Sequence, residues 1–506
     1  MNRLARLLLA AIAVSPLAGC GLDQHPSYSG NVRYGVRTDP IVVAAAKLGE
    51  ERYEPDRPGI LPIMKMEDIN NPAHPWHAKK ETIQDSIVRD PTGISADDRK
   101  ALDTALEDLF GTPANPKVDP DKTNIDKDTL SRLRLDSQTL VEGSKRYRVH
   151  CLHCHGVPGD GRGPTARWIN PHPRDFRAGV FKFQSRNQLN AQTKPSREDL
   201  VRTLRNGIEN TAMPSFALLK DEELEQIVSY VIHLSMRGEV ELRTLRTFDF
   251  DAKKGFAWDA EGNGTIAEAA AGYAKKQIGI PWKATLDSKG AIEPARARFI
   301  KVPGVPADEQ LKASVLRGQQ IFTAKITDDF KMYHVYQSIV AENLPARLDE
   351  LLKKKREAAK AKDPKAKDED TVLSDDEKDA AFSTDELAAF KKKADSADAD
   401  ALTKAEGYLK SANCVSCHTD FGRQAKFRFD DWGTLVRPNN ITLVNLRGGK
   451  RPVDIYYRIH SGIPGSGMTP FGKTFAGNEH YIWDLVNFVT NVPYPAMRAK
   501  LEMKLN

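Results

Sequence analysis

Two five-residue segments constrain this chain more than any other feature of its sequence. They are Cys151-Leu152-His153-Cys154-His155 and Cys414-Val415-Ser416-Cys417-His418. Each has two thiols three positions apart and a histidine directly after the second, the pattern of covalent c-type haem attachment. The chain has five cysteines, and four of them lie in these segments. The sequence predicts two covalently bound haem c groups. The predicted attachment residues are Cys151, Cys154, Cys414 and Cys417, and the predicted iron ligands are His155 and His418.

Two other uses of paired cysteines fit the pattern less well. A thioredoxin-like redox pair needs a βαβ context, which the sequence around neither segment predicts. A zinc site built from both pairs would not need a histidine at the same offset in each. The matching histidines therefore favour haem over zinc or thiol chemistry.

The N-terminus predicts export and a lipid anchor. Arg3 and Arg6 precede an apolar run, residues 7–14, that is too short to span a bilayer. The next segment, Leu17-Ala18-Gly19-Cys20, resembles the cleavage box of bacterial lipoproteins. This resemblance implies a signal peptide of residues 1–19 and acyl chains on Cys20. An ordinary secretory signal with an incidental cysteine is the alternative. Both interpretations place the chain outside the cytoplasm, where haem c is attached.

The charge of the chain gives no indication of nucleic acid as a partner. The formal net charge is +6, from 75 basic and 69 acidic residues. Loss of Arg3 and Arg6 with the signal peptide leaves 73 basic residues and a charge of +4. The propionates of two haems would bring the protein close to neutral, so no concentrated basic surface is expected. No other segment is long and apolar enough to be a transmembrane helix, so the lipid is the predicted membrane attachment.

The sequence around the first segment predicts three helices and two loops. Gly143 and Tyr147 share one face of a helix that leads into the segment, and a glycine-rich loop follows it. A second helix begins near Ser196 and ends near Gly207, and a third begins at Asp221. Between them lies Met213, in a loop that continues with a proline.

Methionine is a soft ligand that raises the potential of haem iron. Of the three methionines between the two segments, Met236 ends an apolar helix and Met332 lies in a different part of the chain. Met213 is therefore the predicted sixth ligand of the first iron. His233, His334, His460 and His480 are alternative ligands if a methionine is not used.

This order of helices, segment and loops resembles a class I cytochrome c domain over about residues 138–237, and we place the domain at 138–240. It is similar to bacterial haem c domains of respiratory complexes. The resemblance implies that the first and last helices cross near the haem, with Gly143 permitting close approach. It also implies that a loop proline carbonyl accepts the Nδ1 proton of His155. Pro164 is the candidate acceptor, with Pro171 or Pro173 as alternatives.

The second segment repeats the plan. A helix leads into Cys414, a turn contains Pro438, and a middle helix covers residues 453–459. Met468 lies in the second methionine loop and is the predicted sixth ligand, and Pro438 is the corresponding candidate acceptor. An apolar stripe at Ile482, Leu485, Val486 and Val489 predicts the final helix.

An interruption precedes the second segment. Residues 313–322 also resemble the opening helix of a cytochrome domain, yet no haem segment follows for some ninety residues. Residues 353–400 between them are dense in lysine, aspartate, glutamate and alanine, typical of solvated helix or of partly disordered chain. One interpretation is a domain at 312–495 split by an insertion at about 326–400, and we favour it. The other is a separate helix followed by a complete domain from about residue 400.

The predicted fold class is therefore mainly α, with two helical haem domains, a long N-terminal arm and a charged helical insertion. The arm, residues 20–137, is expected to be largely irregular with one helix at Ala96–Phe110. Residues 241–311 are expected to be a linker with strand-like pieces near 295–302, and residues 496–506 a tail.

The predicted function is electron transfer by a lipid-anchored protein facing the periplasm or extracytoplasmic space. The resemblance implies redox partners or subunits of a respiratory complex, such as an alternative complex III or a terminal oxidase. A haem enzyme such as a dihaem peroxidase is the alternative, and it would need an open iron position. The cytochrome subunit of a periplasmic dehydrogenase is another, which differs only in its electron donor.

Overall fold

The computed structural model describes residues 26–39, 41–42, 88–89, 91–185, 194–247, 264–287, 306–364, 367–430, 432 and 435–505. The predicted signal peptide, Cys20 and the strand-like pieces near residues 295–302 lie outside the described residues. The described chain is mainly helical, which confirms the predicted fold class. It contains two hydrophobic cores, and we call the described residues from 26 to 287 the first unit and those from 306 to 505 the second unit.

The first unit contains nine α-helices among its described residues. They are α1 (Ala96–Phe110), α2 (Pro120–Thr123), α3 (Lys127–Arg132), α4 (Ser137–His150), α5 (Leu152–His155), α6 (Arg197–Asn206), α7 (Asp221–Thr247), α8 (Ile266–Gln277) and α9 (Gly279–Leu286). Short strands β1 (Ile41–Val42) and β2 (Val88–Arg89) pair antiparallel, and Pro91–Gly93 and Ala166–Trp168 are 3₁₀ turns.

The second unit contains eight α-helices in the part that the structure describes. They are α10 (Ala307–Thr323), α11 (Asp328–Lys362), α12 (Asp375–Asp379), α13 (Thr384–Asp395), α14 (Ala399–Lys410), α15 (Pro452–Ser461), α16 (His480–Asn491) and α17 (Pro495–Lys500). Strands β3 (Arg428–Phe429) and β4 (Leu435–Val436) pair antiparallel, and Asp368–Asp370, Cys414–Ser416 and Thr419–Gly422 are 3₁₀ turns.

Each unit is built around one tight helix crossing. In the first unit α4 packs against α7, and a Cβ added to Gly143 would lie 2.1 Å from the carbonyl oxygen of Gln226. In the second unit α10 packs against α16, and a Cβ added to Gly318 would lie 2.0 Å from the carbonyl oxygen of Asp484. Only glycine allows backbones to approach this closely. The helix that crosses α16 in the second unit is thus α10, and whether it belongs to a split domain stays a prediction.

The N-terminal region is more helical than predicted. Helix α1 has the predicted bounds, and the Ser95 side chain caps it by accepting a hydrogen bond from the Asp98 amide at 3.0 Å. The short helices α2 and α3 were not predicted. They begin at the caps Asp119 and Asp126 and have too few residues to show an apolar period.

The predicted linker at 241–311 was wrong for residues 264–287. Helix α8 packs against α1 and α7, and α9 follows it within the same core. The buried face of α8 consists largely of Ala269, Ala270 and Ala274, whose small side chains give a weak hydrophobic pattern. Helix α7 also continues past the predicted domain end at residue 240. Its last turns bury ion-paired residues such as Glu239, which the sequence pattern does not distinguish from exposed ones.

Helices α11 to α13 of the second unit contain most of the charged segment, and we call these three helices the excursion. Helix α11 begins against the second core, where Phe330 is buried, and then continues along α13 and α14. The predicted C-terminal tail instead packs on the core, because Leu501 and Met503 are buried there. No helix within the described ranges combines the length and apolarity needed to cross a bilayer.

Candidate haem sites

Helix α4 delivers the first haem segment directly into the first core. Cys151 follows its last residue, His150, and the segment continues as the single turn α5. The Tyr147 hydroxyl donates to the Gly156 carbonyl at 2.9 Å, which fixes the end of that turn against α4. Of the two residues predicted to share one face of α4, Gly143 permits the close helix crossing and Tyr147 holds the end of the haem segment.

His155 is held as a neutral ring by one hydrogen bond. Its Nδ1–H donates to the Arg174 carbonyl oxygen at 2.9 Å, and the Phe176 ring stacks on it at 4.6 Å between centroids. Burial lowers the pKa of His155 to about 4, so the ring carries no proton on Nε2 at neutral pH. That nitrogen is then available to an iron ion.

His418 is held in the same way. Its Nδ1–H donates to the Asn439 carbonyl oxygen at 3.0 Å. The Phe322 ring of α10 lies 5.9 Å from the imidazole, between centroids. Helix α10 therefore reaches the second haem segment, although the two are far apart in sequence.

The prediction that a proline carbonyl accepts the Nδ1 proton of each histidine was wrong. Neither Pro164 nor Pro171 accepts from His155, and Pro438 does not accept from His418. In both units the acceptor is the residue after a proline, Arg174 after Pro173 and Asn439 after Pro438. Each proline fixes its own φ and restricts the backbone of the residue before it. It therefore sets the local path of the backbone, and the carbonyl of the residue after it faces the histidine ring.

The two methionine loops have the same backbone geometry. Helices α6 and α15 end at Gly207 and Gly462, whose φ values are +65° and +67°. The amide of Ile208 donates to the Met213 carbonyl at 3.1 Å. The amide of Ile463 donates to the Met468 carbonyl at 3.0 Å.

The correspondence extends beyond the loops. The Phe216 amide donates to the Leu204 carbonyl at 3.0 Å, and the Phe471 amide donates to the Ile459 carbonyl at 3.1 Å. All these pairs are related by one constant sequence offset of 255 residues. This internal repeat, Gly-Ile with a methionine five residues after the isoleucine, is visible in the sequence and could have strengthened the prediction.

The second unit has a cavity where its predicted ligands meet. Cys414, Cys417, His418 and Met468 all line it, and its empty space is about 1480 Å³ with the open mouth included. Aliphatic and aromatic side chains from α10, α15 and α16 form much of the wall. An apolar cavity that contains both thiols, the histidine and the methionine fits a haem plane between the two ligands.

Four basic side chains also line the cavity. They are Lys182, Arg437, Arg447 and Arg458. Burial lowers the pKa of Arg447, and it lowers the pKa of Arg458 to about 10 and that of Lys182 to about 8. These shifts mean that nearby carboxylates do not fully compensate the cost of burying the charges. Haem propionates are anions of the kind that such a site accommodates.

The four thiols of the two segments form no disulfide within the described chain. Burial raises the pKa of Cys151 and of Cys414 to about 12, so both are protonated thiols at neutral pH. The two pairs lie in different cores, which excludes a zinc site built from both. Across the part of the chain that the structure describes, no group of three or more His, Cys, Asp or Glu residues could hold a bare metal ion.

The alternative ligands have other contacts. His233 is buried and its Nε2–H donates to the Phe110 carbonyl at 2.8 Å. His334 hydrogen-bonds the Tyr481 hydroxyl at 2.9 Å, and His460 stacks on Tyr456. Met236 is fully buried inside α7, where it packs.

Comparison with known proteins identifies part of the chain. Residues 138–231 match the family described as cytochrome C oxidase, cbb3-type, subunit III. No curated protein matches the chain. A chain of the Kuenenia stuttgartiensis reducing HAO-like protein complex Kustc0457/Kustc0458 aligns with a TM-score of 0.35 and 17% identity, over 70% of this chain and 96% of that one. A similarity that low defines neither fold nor function. Residues 138–231 form a cytochrome c domain, which implies covalently bound haem c and a role in electron transfer.

Proposed function

We propose that this protein is a membrane-anchored dihaem cytochrome c that passes single electrons between respiratory partners. The observation that carries the proposal is the repeat of one geometry in two units. Each unit has a Cys-x-x-Cys-His segment, a histidine whose Nδ1–H donates to a backbone carbonyl, and a methionine loop closed by the same hydrogen bond.

The residues of each unit do three things for the bound group. The thiols fix haem covalently, the carbonyl acceptors orient the histidines, and the loops present a methionine as second ligand. Haem with both positions filled supplies one-electron chemistry and has no open site for a substrate. This arrangement favours a carrier over a dihaem peroxidase.

The anchor and the partners follow from the N-terminus and from the family of the first domain. The lipobox at Cys20 supports attachment by acyl chains to the outer face of a membrane. The match to a subunit of a cytochrome oxidase supports a respiratory partner, either a complex subunit or a soluble redox protein.

The decisive experiment counts the haems. We expect the pyridine haemochrome spectrum of the purified protein to give two haem c groups per chain. The double variant Cys414→Ala/Cys417→Ala should retain one, and so should Cys151→Ala/Cys154→Ala. A wild-type protein with one haem would contradict the proposal.

The methionine ligands are tested by redox titration. Met213→Ala and Met468→Ala should each lower the potential of one haem and leave the other unchanged, because methionine ligation raises the potential. Met497→Ala, a half-buried methionine of α17, is the matched control and should shift neither. If high-spin iron is found in the resting wild-type protein, the carrier interpretation is wrong and the enzyme alternative gains support.

The anchor is tested by Cys20→Ser. The wild-type protein should fractionate with membranes and require detergent for release, and this variant should not. Co-purification from solubilised membranes would then identify the partner.

A further inference from the structure

The cavity of the second unit is lined in part by residues of the first unit. Lys182 and Phe183 of the first unit line the cavity together with His418 and Met468. The Lys182 ammonium lies 3.3 Å from a carboxylate oxygen of Asp430, whose side chain is buried. A Cβ added to Gly448 would lie 2.4 Å from the Phe183 ring, so the two units are in close contact here.

A second contact begins at the first histidine. The carbonyl of Arg174 accepts the Nδ1–H of His155, and the Arg174 guanidinium lies over the ring of Trp432, 3.6 Å from its centroid. Arg174 therefore contacts the histidine of one unit with its backbone and a tryptophan of the other with its side chain. A cation over an indole face is a stabilising arrangement.

Trp432 in turn contacts the second methionine loop. A Cβ added to Gly465 would lie 2.2 Å from the Trp432 ring, so the ring rests on the backbone three residues before Met468. The indole Nε1 is buried and has no hydrogen-bond partner within the described chain. Packing and the Arg174 cation, rather than a hydrogen bond, hold the ring in place.

We infer that the two haem sites form one electron-transfer unit, in which Arg174 and Trp432 connect the histidine of the first site to the methionine loop of the second. This inference rests on the proposed function, since it needs both haems. With both haems bound, one electron would pass from the ferrous iron of one, which would be oxidised, to the ferric iron of the other, which would be reduced. No bond is formed or broken and no proton moves.

The physical reason lies in how electrons tunnel. The tunnelling rate falls steeply with distance, and more steeply across empty gaps than through bonds or packed atoms. The route from His155 to Met468 consists of one hydrogen bond, the covalent frame of Arg174, one ring contact, one contact with Gly465 and the backbone from Gly465 to Met468. An aromatic ring between the sites replaces what would be a gap.

The test is the rate of intramolecular electron redistribution in the full-length dihaem protein. A substoichiometric pulse of reductant is followed by optical spectroscopy, and the redistribution phase is first-order and independent of protein concentration. Trp432→Leu should slow this phase, because the aliphatic side chain loses the aromatic contacts with Arg174 and Gly465, and Trp432→Phe should restore much of the rate. Arg174→Leu should also slow this phase, because it removes the guanidinium that contacts Trp432. The hydrogen bond to His155 remains, because its acceptor is the backbone carbonyl of residue 174.

The chain offers a matched control for the arginine–tryptophan pair. Arg167 lies over Trp168 at 5.0 Å in the first unit, and Trp168 is 63% exposed. Trp168→Leu should leave the redistribution rate unchanged. Haem content and the near-infrared methionine–iron band show whether each variant is correctly folded.

A readout separate from the rate uses the potentials. Lys182→Gln removes a positive charge from the wall of the second cavity, so it should lower the potential of the second haem, although Lys182 belongs to the first unit. Lys122→Gln, in an exposed pair with Asp108, should shift neither potential.

The outcomes separate the two proposals. A protein with one haem would overturn the proposed function and this inference with it. A protein with two haems whose redistribution rate is the same in wild type, Trp432→Leu and Arg174→Leu would overturn the inference alone.

Discussion

The two units reach similar geometry from different sequence arrangements. In the first unit Gly143 lies eight residues before Cys151, so one helix both makes the crossing and leads into the haem segment. In the second unit Gly318 lies 96 residues before Cys414, and α11 to α14 intervene. The crossing helix α10 and the helix that leads into the segment, α14, are separate elements.

The family match covers residues 138–231, which lie in the first unit. The second unit has a close helix crossing, a carbonyl acceptor and a methionine loop as well, at a different spacing along the chain. The comparison teaches that elements far apart in sequence can be brought together into an arrangement like the one that the first unit builds from neighbouring elements.

The largest expected effect tests the helix crossings. Gly143→Ala and Gly318→Ala should each destabilise the protein by about 3 kcal/mol, because the new methyl group would overlap a carbonyl oxygen of the facing helix. The measurement is the free energy of unfolding in denaturant. Similar losses would support equivalent crossings, and a loss confined to Gly143 would break the comparison.

A helical glycine outside the crossings provides the control. Gly407 lies in α14, and nothing lies within 4 Å of a Cβ added to it. Gly407→Ala should therefore stabilise the protein slightly, by about 0.5 kcal/mol, through its better helix propensity.

A smaller effect concerns the packing of α1 on α7, which only the first unit has. His233 connects α7 to α1 through the Phe110 carbonyl, and burial lowers its pKa to about 4 from 6.5. Below pH 6.5, His233 binds a proton in the unfolded chain but not in the folded chain. The free energy of unfolding therefore falls as the pH falls from 6.5 towards 4. The loss should reach about 2 kcal/mol near pH 5.

Unfolding measured across this pH range checks the expectation. His233→Phe should be less stable at neutral pH by about 1 kcal/mol, since it leaves the Phe110 carbonyl without its donor. Its stability should also depend less on pH. An unchanged pH dependence would show that His233 is not the group responsible.

The smallest effect is expected in the excursion of the second unit. Lys355 and Glu377 form an ion pair with side chains 38% and 42% exposed. Lys355→Gln should leave the free energy of unfolding almost unchanged, because water and salt screen exposed pairs. A larger loss would mean that the excursion supports the second core and is more than a solvated insertion.

Much of each candidate site could be predicted because its chemistry is local in sequence. The cysteine spacing indicated haem attachment, and the Met-Pro loop singled out Met213. Met468 lines the same cavity as Cys414, Cys417 and His418, and its role as an iron ligand stays a prediction. Helix α1 was also predictable, because its cap and apolar stripe are both strong.

The remainder depends on contacts between distant residues. The acceptors Arg174 and Asn439 offer only backbone carbonyls, which leave no mark on the sequence. The alanine-rich α8 has little periodicity, so its place in the first core comes from packing against α1 and α7. The contact between Trp432 and Arg174 arises only where the two units meet.

The position of the Gly318 crossing has a consequence for how the chain acquires its structure. The residues that meet there are 166 positions apart, twice the 83 positions between Gly143 and Gln226. Doubling a loop costs only about 0.6 kcal/mol of closure entropy, so the native state tolerates the added length. Folding rate is more sensitive to such separation. We therefore expect the C-terminal half to acquire its native contacts later than the N-terminal half, leaving its thiols accessible for longer to the machinery that attaches haem.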